Sequence, residues 1–591
     1  MRRFVLLILL TALLVHAQET YVLGPDSHPQ AGVAKGSVAK YELKPGQIYP
    51  GTPHTYSVYV PAQYDAAKPT PFMIFLDGSG FLSDRVQAPV VFDNLIARHE
   101  LPPIIGIFID PGVLPALSDQ VQNRFERVFE YDSLSDRYSR FLLEELIPEV
   151  GKKYNLSKVA DDRALCGVST GAVGAFMAAW NRPDQFHRVL SFIGTYVSMK
   201  GADALPALIR KTEPKPLRIF LQDGTGDHIV PGEPWGTFYA GSWPINNQVM
   251  YEAFESAGYD AKLVMGSEGH NMKQGAAILP DALRWLWRDY PSPIAAREPA
   301  AMLQPGWDPR GKVYSTVYVD KPWQQIADAY SSVAELAADR HGNVFFVDQG
   351  RDRIYQSDPD GKVTLFKDGA NGAKALRAGA DDRLYAFEGA AKQIVSLGPG
   401  GDEKVLAKDV EAAGLAVTAR GTVYFTDPTH KTIHYLDATG HSRTVYEQGE
   451  IASPSGLALS PDQAMLIVTD AQARYSWSFQ IMADGSLGNG EPFYRLEMPE
   501  TSWMSGVAGV TEDSLGQVYF ATPLGIQICE ANGRVSQILN PPAPGAVTGV
   551  TFAGPDANWL YITTGGKLFR RPVKATGAKS WEPAKPPKPP L

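Results

Sequence analysis

Arg163-Ala164-Leu165-Cys166-Gly167-Val168-Ser169-Thr170-Gly171-Ala172 runs an apolar strand into Gly-x-Ser-x-Gly and straight on into a helix of small residues, Gly174-Ala175-Phe176-Met177-Ala178-Ala179-Trp180. So tight a turn leaves room only for small side chains beside the serine. Gly167 and Gly171 clear that space and Ser169 Oγ stands up at a sheet edge, which is the pattern of a nucleophile elbow. The N–H of Thr170, first in the helix, points where a tetrahedral oxyanion would form. Gly/Ser turns recur in any long chain; the strand before this one and the helix after it are what set it apart.

Upstream, Thr55-Tyr56-Ser57-Val58-Tyr59-Val60 and Pro71-Phe72-Met73-Ile74-Phe75-Leu76 read as strands, the second apolar throughout, as a strand covered on both faces should be. It empties into Asp77-Gly78-Ser79-Gly80, at the end of the strand where an open α/β sheet places its ligands. A second oxyanion donor is expected from the N–H of Gly78 or Ser79, against the alternative of an ordinary turn. Pro103-Ile104-Ile105-Gly106-Ile107-Phe108-Ile109 is a further strand, and Ser133–Tyr154 carries apolar residues at helical spacing.

Downstream, Leu217-Arg218-Ile219-Phe220-Leu221-Gln222 leads into Asp223-Gly224-Thr225-Gly226-Asp227-His228, and Lys262-Leu263-Val264-Met265 into Gly266-Ser267-Glu268-Gly269-His270-Asn271. An acid that orients an imidazole belongs at such a strand end, after the serine. Asp227 is preferred to Asp223, which lies nearer the strand and can cap the turn. His270 is preferred to His228, which is adjacent to the acid and cannot readily fold back onto it. The order Ser169, Asp227, His270 is that of an α/β-hydrolase, a doubly wound α/β sheet.

Gly32-Val33 with Gly36, Gly51-Thr52-Pro53-His54, Tyr59-Val60-Pro61, Leu76-Asp77-Gly78, Glu145-Leu146-Ile147-Pro148, Gly167-Val168-Ser169, Asp227, Gly269-His270 and Leu283-Arg284-Trp285-Leu286-Trp287 resemble the secreted esterases grouped with enterobactin esterase and the feruloyl and acetylxylan esterases. The resemblance spans about residues 22–290. It implies Ser169 as nucleophile, Asp227 as acid and His270 as base. Ala172 stands where many members carry another glycine, and alanine fits there. Trp235 and Trp243, between acid and histidine, are the candidates for an aromatic substrate platform, with core packing as the alternative for each.

Pro291-Ser292-Pro293 ends this half, and 291–312 reads as a linker. Beyond it Val344-Phe345-Phe346-Val347-Asp348, Leu384-Tyr385-Ala386-Phe387, Val423-Tyr424-Phe425-Thr426-Asp427, Leu466-Ile467-Val468-Thr469-Asp470, Val518-Tyr519-Phe520-Ala521 and Leu560-Tyr561-Ile562-Thr563 recur at the period of a four-stranded blade. Six such units predict a six-bladed β-propeller over 313–576, followed by a Pro/Lys-rich tail, 577–591. Phe425-Thr426-Asp427-Pro428, Leu459-Ser460-Pro461-Asp462 and Phe552-Ala553-Gly554-Pro555-Asp556 are similar to the gluconolactonase/regucalcin (senescence marker protein) family, which implies a divalent cation at the channel mouth. Glu335 fits that family's glutamate. Ala413-Gly414, Pro454-Ser455-Gly456 and Ala508-Gly509 stand where the family carries further oxygen ligands, and Asn371-Gly372 resembles its substrate-side pair or is a turn. One carboxylate and a hydroxyl make a poor shell for a hard cation, so a degenerate site and no cofactor are expected.

Met1-Arg2-Arg3, the apolar run Phe4–Leu10 and the small-residue end Val15-His16-Ala17 have the parts of a cleavable export signal, 1–17, so a periplasmic or secreted protein is expected. That run is too short for a stable membrane span, and no cysteine follows the cleavage site to carry a lipid. Cys166 and Cys529 are expected to be buried free thiols in separate domains. A net charge of -9 with no Lys/Arg stripe speaks against nucleic acid as a partner. The predicted activity is ester hydrolysis through an acyl-enzyme, on a small-molecule or polysaccharide ester such as a feruloyl or acetyl group. A siderophore lactone, a metal-dependent lactonase in the propeller and a non-catalytic binding protein are the alternatives.

Overall fold

The computed structural model describes residues 20–227, 241–296, 313–318, 320–328, 330 and 333–582. They divide into two compact units: the first takes the described residues up to Leu205 with 216–252 and 260–295, the second 206–215, 253–259 and those from Ala296 onward. Among them no helix is long and apolar enough to cross a membrane.

In the first unit eight strands form one sheet. These are β1 (Ser37–Leu43), β2 (His54–Val60), β3 (Phe72–Leu76), β4 (Ile105–Ile109), β5 (Arg163–Val168), β6 (Arg188–Phe192), β7 (Arg218–Gly224) and β8 (Asp260–Gly266), in the order β1-β2-β4-β3-β5-β6-β7-β8. From β4 to β8 every neighbour is parallel, whereas β1–β2 and β2–β4 are antiparallel. This is the α/β-hydrolase arrangement that the residue order predicts. β3, β4 and β6 are buried at every residue, as strands covered by helices on both faces require.

The longer helices among the described residues are α1 (Ala88–Ala97), α2 (Thr170–Asn181), α3 (Trp243–Ala257) and α4 (Lys273–Trp287). Val91, Phe92 and Leu95 of α1 and Leu279, Leu283 and Leu286 of α4 share one apolar cluster with Phe75, Phe108 and Cys166 of the sheet. α2 lies against the other face, where a Cβ on Gly174 would come within 3.1 Å of Leu76 Cδ2. Small residues therefore let α2 approach the sheet closely, and it is buried from Thr170 to Trp180. Cys166 and Cys529 are both buried and free.

The second unit is a propeller of six four-stranded sheets. The six repeats read from sequence fall on the second strand of each blade, from Val344–Asp348 to Trp559–Thr564. Each blade buries both faces, so six separate apolar clusters lie between neighbouring blades. The ring closes through Gln324–Ala327, which precedes the first blade in sequence and pairs with Lys567–Pro572 of the last. Such closure seats the last blade against the first and covers the apolar faces that an open array would expose. Residues 577–582, expected as the start of a tail, belong to this unit: Ala578 N–H donates to the Glu512 carbonyl and Gln463 Nε2 to that of Ser580. Likewise Ile294, expected in the linker, is buried, and its N–H donates to Asp161 Oδ1.

Candidate active site

Ser169 follows β5 with φ 58° and ψ -122°, a conformation that costs a non-glycine residue roughly 1–3 kcal/mol. Three backbone hydrogen bonds hold it: Ser169 N–H donates to the Phe192 carbonyl (3.0 Å), and the Ser169 carbonyl accepts from Thr195 N–H (3.1 Å) and Ala172 N–H (3.0 Å). A Cβ on Gly167 would sit 2.0 Å from the Gly171 carbonyl oxygen, so that glycine is obligatory. At Gly171 the closest atom would be Asp77 Oδ2 at 3.0 Å, a less strict requirement.

Ser169 Oγ lies 2.9 Å from His270 Nε2, and His270 Nδ1 lies 2.8 and 3.0 Å from the two carboxylate oxygens of Asp227. Asp227 is fully buried, whereas the His270 side chain keeps 23 % of its surface exposed. The loops that carry them are laced together: Thr225 N–H donates to the Gly266 carbonyl (2.8 Å) and Gly226 N–H to that of Glu268 (3.1 Å). Gly224 permits this, since a Cβ there would stand 2.0 Å from the Glu268 oxygen.

Asp223 is also fully buried, near the end of β7, and it is Asp227 that meets the imidazole. Its carboxyl accepts from Gly224 N–H and Asn247 Nδ2, each at 2.8 Å. Burial, with the negative Asp227 beside it, pushes the Asp223 carboxyl up to about 8. His228 lies outside the described residues.

Thr170 and Gly78 each open a helical segment, where the N–H is free of the helix ladder. The parallel β3–β5 pairing, Phe72 opposite Arg163 through Phe75 opposite Cys166, places the loops that carry Gly78 and Ser169 after the carboxyl ends of neighbouring strands. Ser79, the other donor considered, is corrected: its N–H donates to Asp110 Oδ1 at 2.9 Å and is already committed. Arg127, which sequence reasoning missed, holds this loop; it meets Asp77 with two bonds of 2.7 Å and reaches the Val168 carbonyl at 3.1 Å. Nothing in its sequence neighbourhood marks it, because it reaches Asp77 from fifty residues away.

Trp243 is corrected as well. It is 3 % exposed, packed edge-to-face with the His270 ring at 5.5 Å between centroids, and offers no open face to a substrate. Its indole N–H donates to Thr195 Oγ1 (3.2 Å), and Thr195 Oγ1 is 3.0 Å from Ser169 Oγ. Trp235 lies outside the described residues. Thr195 and Asn247 were not legible as site residues; the one available signal was that Thr195 follows the strand next to β5.

A serine hydroxyl bonded to an imidazole, which is bonded in turn to a buried carboxylate, is an arrangement able to carry out acyl transfer, and the class it fits is that of a hydrolase. Residues 49–288 match the esterase family model described as "Putative esterase", and residues 334–566 match that of the SMP-30/Gluconolactonase/LRE-like region. The chain thus joins an esterase-family domain to a gluconolactonase-like propeller. The uncharacterized protein YbbA of Bacillus subtilis is 21 % identical over 29 % of this chain and 67 % of its own length. The pentonolactonase XacC of Haloferax volcanii is 31 % identical over 24 % of this chain and 54 % of its own, so the chain spans only about half of that relative. The enterobactin esterase of Shigella flexneri is a structural neighbour at 21 % identity, with a TM-score of 0.34 over 44 % of this chain and 61 % of that one.

The gluconolactonase-like half raises the question of a divalent cation. Glu335 does not stand ready for one: its Oε2 is 3.3 Å from Arg377 Nη1. Arg377 also donates to the carbonyls of Leu376 (2.8 Å), Leu457 (2.9 Å) and Leu336 (3.4 Å), so its guanidinium joins the inner strands of three blades. Burial pushes the Glu335 carboxyl up to about 7 against the pull of that guanidinium. Ser455 Oγ is taken up by Thr469 Oγ1 at 2.7 Å, and Asn371 Nδ2 by Glu388. Among the described residues no three His, Cys, Asp or Glu side chains gather to hold a metal. A hard cation needs six or more oxygens and would be repelled by the guanidinium, so these residues do not fit one. EDTA is therefore expected to leave the melting temperature and esterase activity unchanged, whereas Arg377→Ala, by stranding Glu335, lowers the propeller's melting temperature by about 5 °C. Calorimetry with and without EDTA checks both.

Proposed function

We propose that the chain is an exported serine carboxylic-ester hydrolase that works through an acyl-enzyme on carbohydrate-linked feruloyl or acetyl esters. The observation that carries the reaction is the unbroken contact from Ser169 Oγ through His270 to Asp227. His270 Nε2 takes the Ser169 proton as Oγ attacks the ester carbonyl, and Asp227 fixes the tautomer and balances the imidazolium. The Thr170 and Gly78 N–H groups receive the oxyanion. His270 then protonates the leaving alcohol, and water, deprotonated by the same imidazole, releases the acid. The propeller acts as a scaffold or polymer-binding domain. Export is supported by the charge, apolar run and cleavage pattern of 1–17, and an ester substrate by motifs common to the feruloyl, acetylxylan and enterobactin esterases.

The test is made on the full-length protein recovered from an exporting host. A fluorophosphonate should label Ser169, methyl ferulate or acetylated xylan should be hydrolysed faster than enterobactin or gluconolactone, and the intact mass should correspond to a chain beginning at Gln18. Absence of labelling at Ser169 overturns the mechanism, preference for enterobactin overturns the substrate class, and a retained Met1 with cytoplasmic recovery overturns export.

A further inference from the structure

The described contacts at Ser169 include one that the Ser169, His270 and Asp227 reading does not use. Thr195 Oγ1 is 3.0 Å from Ser169 Oγ and accepts the Trp243 indole N–H at 3.2 Å. Donor directions along this chain follow from chemistry. An indole nitrogen can only donate, so Trp243 occupies one lone pair of the Thr195 hydroxyl. With the His270 Nδ1 proton directed at Asp227, Nε2 is an acceptor and the Ser169 proton goes to it. The remaining partner of Ser169 Oγ must then be a donor, and that donor is the Thr195 proton.

We infer that Thr195 is a further catalytic residue, its hydroxyl donating to Ser169 Oγ, and that Trp243 is a positioning residue that sets the direction of that hydroxyl. In acylation the Oγ–H proton passes to His270 Nε2 while the Oγ–C bond forms and the carbonyl π pair moves to the oxyanion. Oγ carries alkoxide character until the bond is made, and the Thr195 hydrogen bond strengthens with that charge. In deacylation water gives its proton to His270 and its oxygen to the acyl carbon, the Oγ–C bond breaks, and Thr195 meets the departing Oγ before the proton returns from His270. Thr195 keeps its own proton throughout.

The backbone is built for this contact. Ile193, a β-branched residue, is held at φ 41°, a left-handed conformation that such residues rarely adopt. That turn brings the chain back so that Thr195 N–H bonds the Ser169 carbonyl, while Asn247 Nδ2 pins the Gly194 carbonyl at 2.8 Å. Thr195 and Trp243 are 1 % and 3 % exposed, so water does not compete for the hydroxyl. Local strain kept beside a reacting atom and fixed from both sides is a mark of a functional loop.

This inference rests on the serine-esterase reading, and the experiment separates the two. Full-length Ser169→Ala, Thr195→Val, Thr195→Ser and Trp243→Phe proteins are compared with wild type on p-nitrophenyl acetate and in the rate of fluorophosphonate labelling. Thr195→Val, equal in size but without the hydroxyl, should lower kcat and the labelling rate by about 10- to 100-fold with KM within about twofold, the loss expected for one donor felt only in the transition state. Thr195→Ser should recover most of that loss, and Trp243→Phe should lower kcat about 5-fold, by misdirecting the hydroxyl. A Thr195→Val enzyme with wild-type kcat, or a Thr195→Ser enzyme as impaired as the valine variant, overturns the inference while leaving the nucleophile in place. Activity that survives Ser169→Ala overturns the serine-esterase reading itself.

Discussion

Ser169→Ala is expected to lower kcat for ester hydrolysis by roughly six orders of magnitude while KM and the melting temperature stay close to wild type. The hydroxyl is the only group lost. The strained turn is held by the Ser169 N–H and carbonyl, which alanine retains, and by the glycine at 167, whose Cβ would strike the Gly171 carbonyl at 2.0 Å. The residual rate should be that supplied by binding and by the Thr170 and Gly78 N–H groups, some 10³-fold over water. Steady-state kinetics with calorimetry on the same sample checks it, and hydrolysis within tenfold of wild type would remove Ser169 from the mechanism.

The second large effect is at the acid. Asp227→Asn should cost about 10⁴ in kcat, because an amide facing His270 Nδ1 admits the wrong tautomer and cannot balance the imidazolium. Asp223→Asn should cost less than tenfold. The Asp223 carboxyl is bonded to Asn247 and Gly224 rather than to the imidazole, burial disfavours its charged form, and an amide has nearly its shape. The pair also differ in stability against pH. Asp223 ionises at its ordinary value of 3.8 when unfolded but near 8 when folded, so the native state holds the extra proton between those values. Stability from this group is fully present below about pH 4 and is lost as pH rises through about 8. Asp223→Asn removes that loss and should gain in melting temperature relative to wild type from pH 5 to pH 9. A difference that shrinks over that range would contradict the buried, protonated carboxyl.

Much of this molecule follows from local pattern. The apolar runs of β3 and β4 read as two-sided strands because burial on both faces leaves no polar position. Gly167 and Ser169 are legible because a tight strand-to-helix turn restricts residue type at fixed spacing. The six blades are legible because each must bury two faces, so the same aromatic and β-branched second strand recurs. The order of acid and histidine after the serine narrowed the candidates to Asp223 or Asp227 and His228 or His270.

What sequence did not carry is which way side chains face once distant segments meet. Ser79 and Gly78 are equal as letters; only the approach of Asp110 takes the Ser79 N–H and leaves that of Gly78. Trp243 reads as a platform or as core, and burial beneath His270 with its N–H on Thr195 decides against the platform. Arg127 reaches Asp77, and Arg377 reaches Glu335 and Leu457, across separations at which no spacing rule operates. The sequence by itself determined the two architectures and the residue types at the elbow, since these answer to neighbours along the chain. Tertiary structure alone decided which N–H is already taken, which carboxyl meets the imidazole and which hydroxyl meets Ser169, because hydrogen bonds and desolvation depend on groups brought together through space.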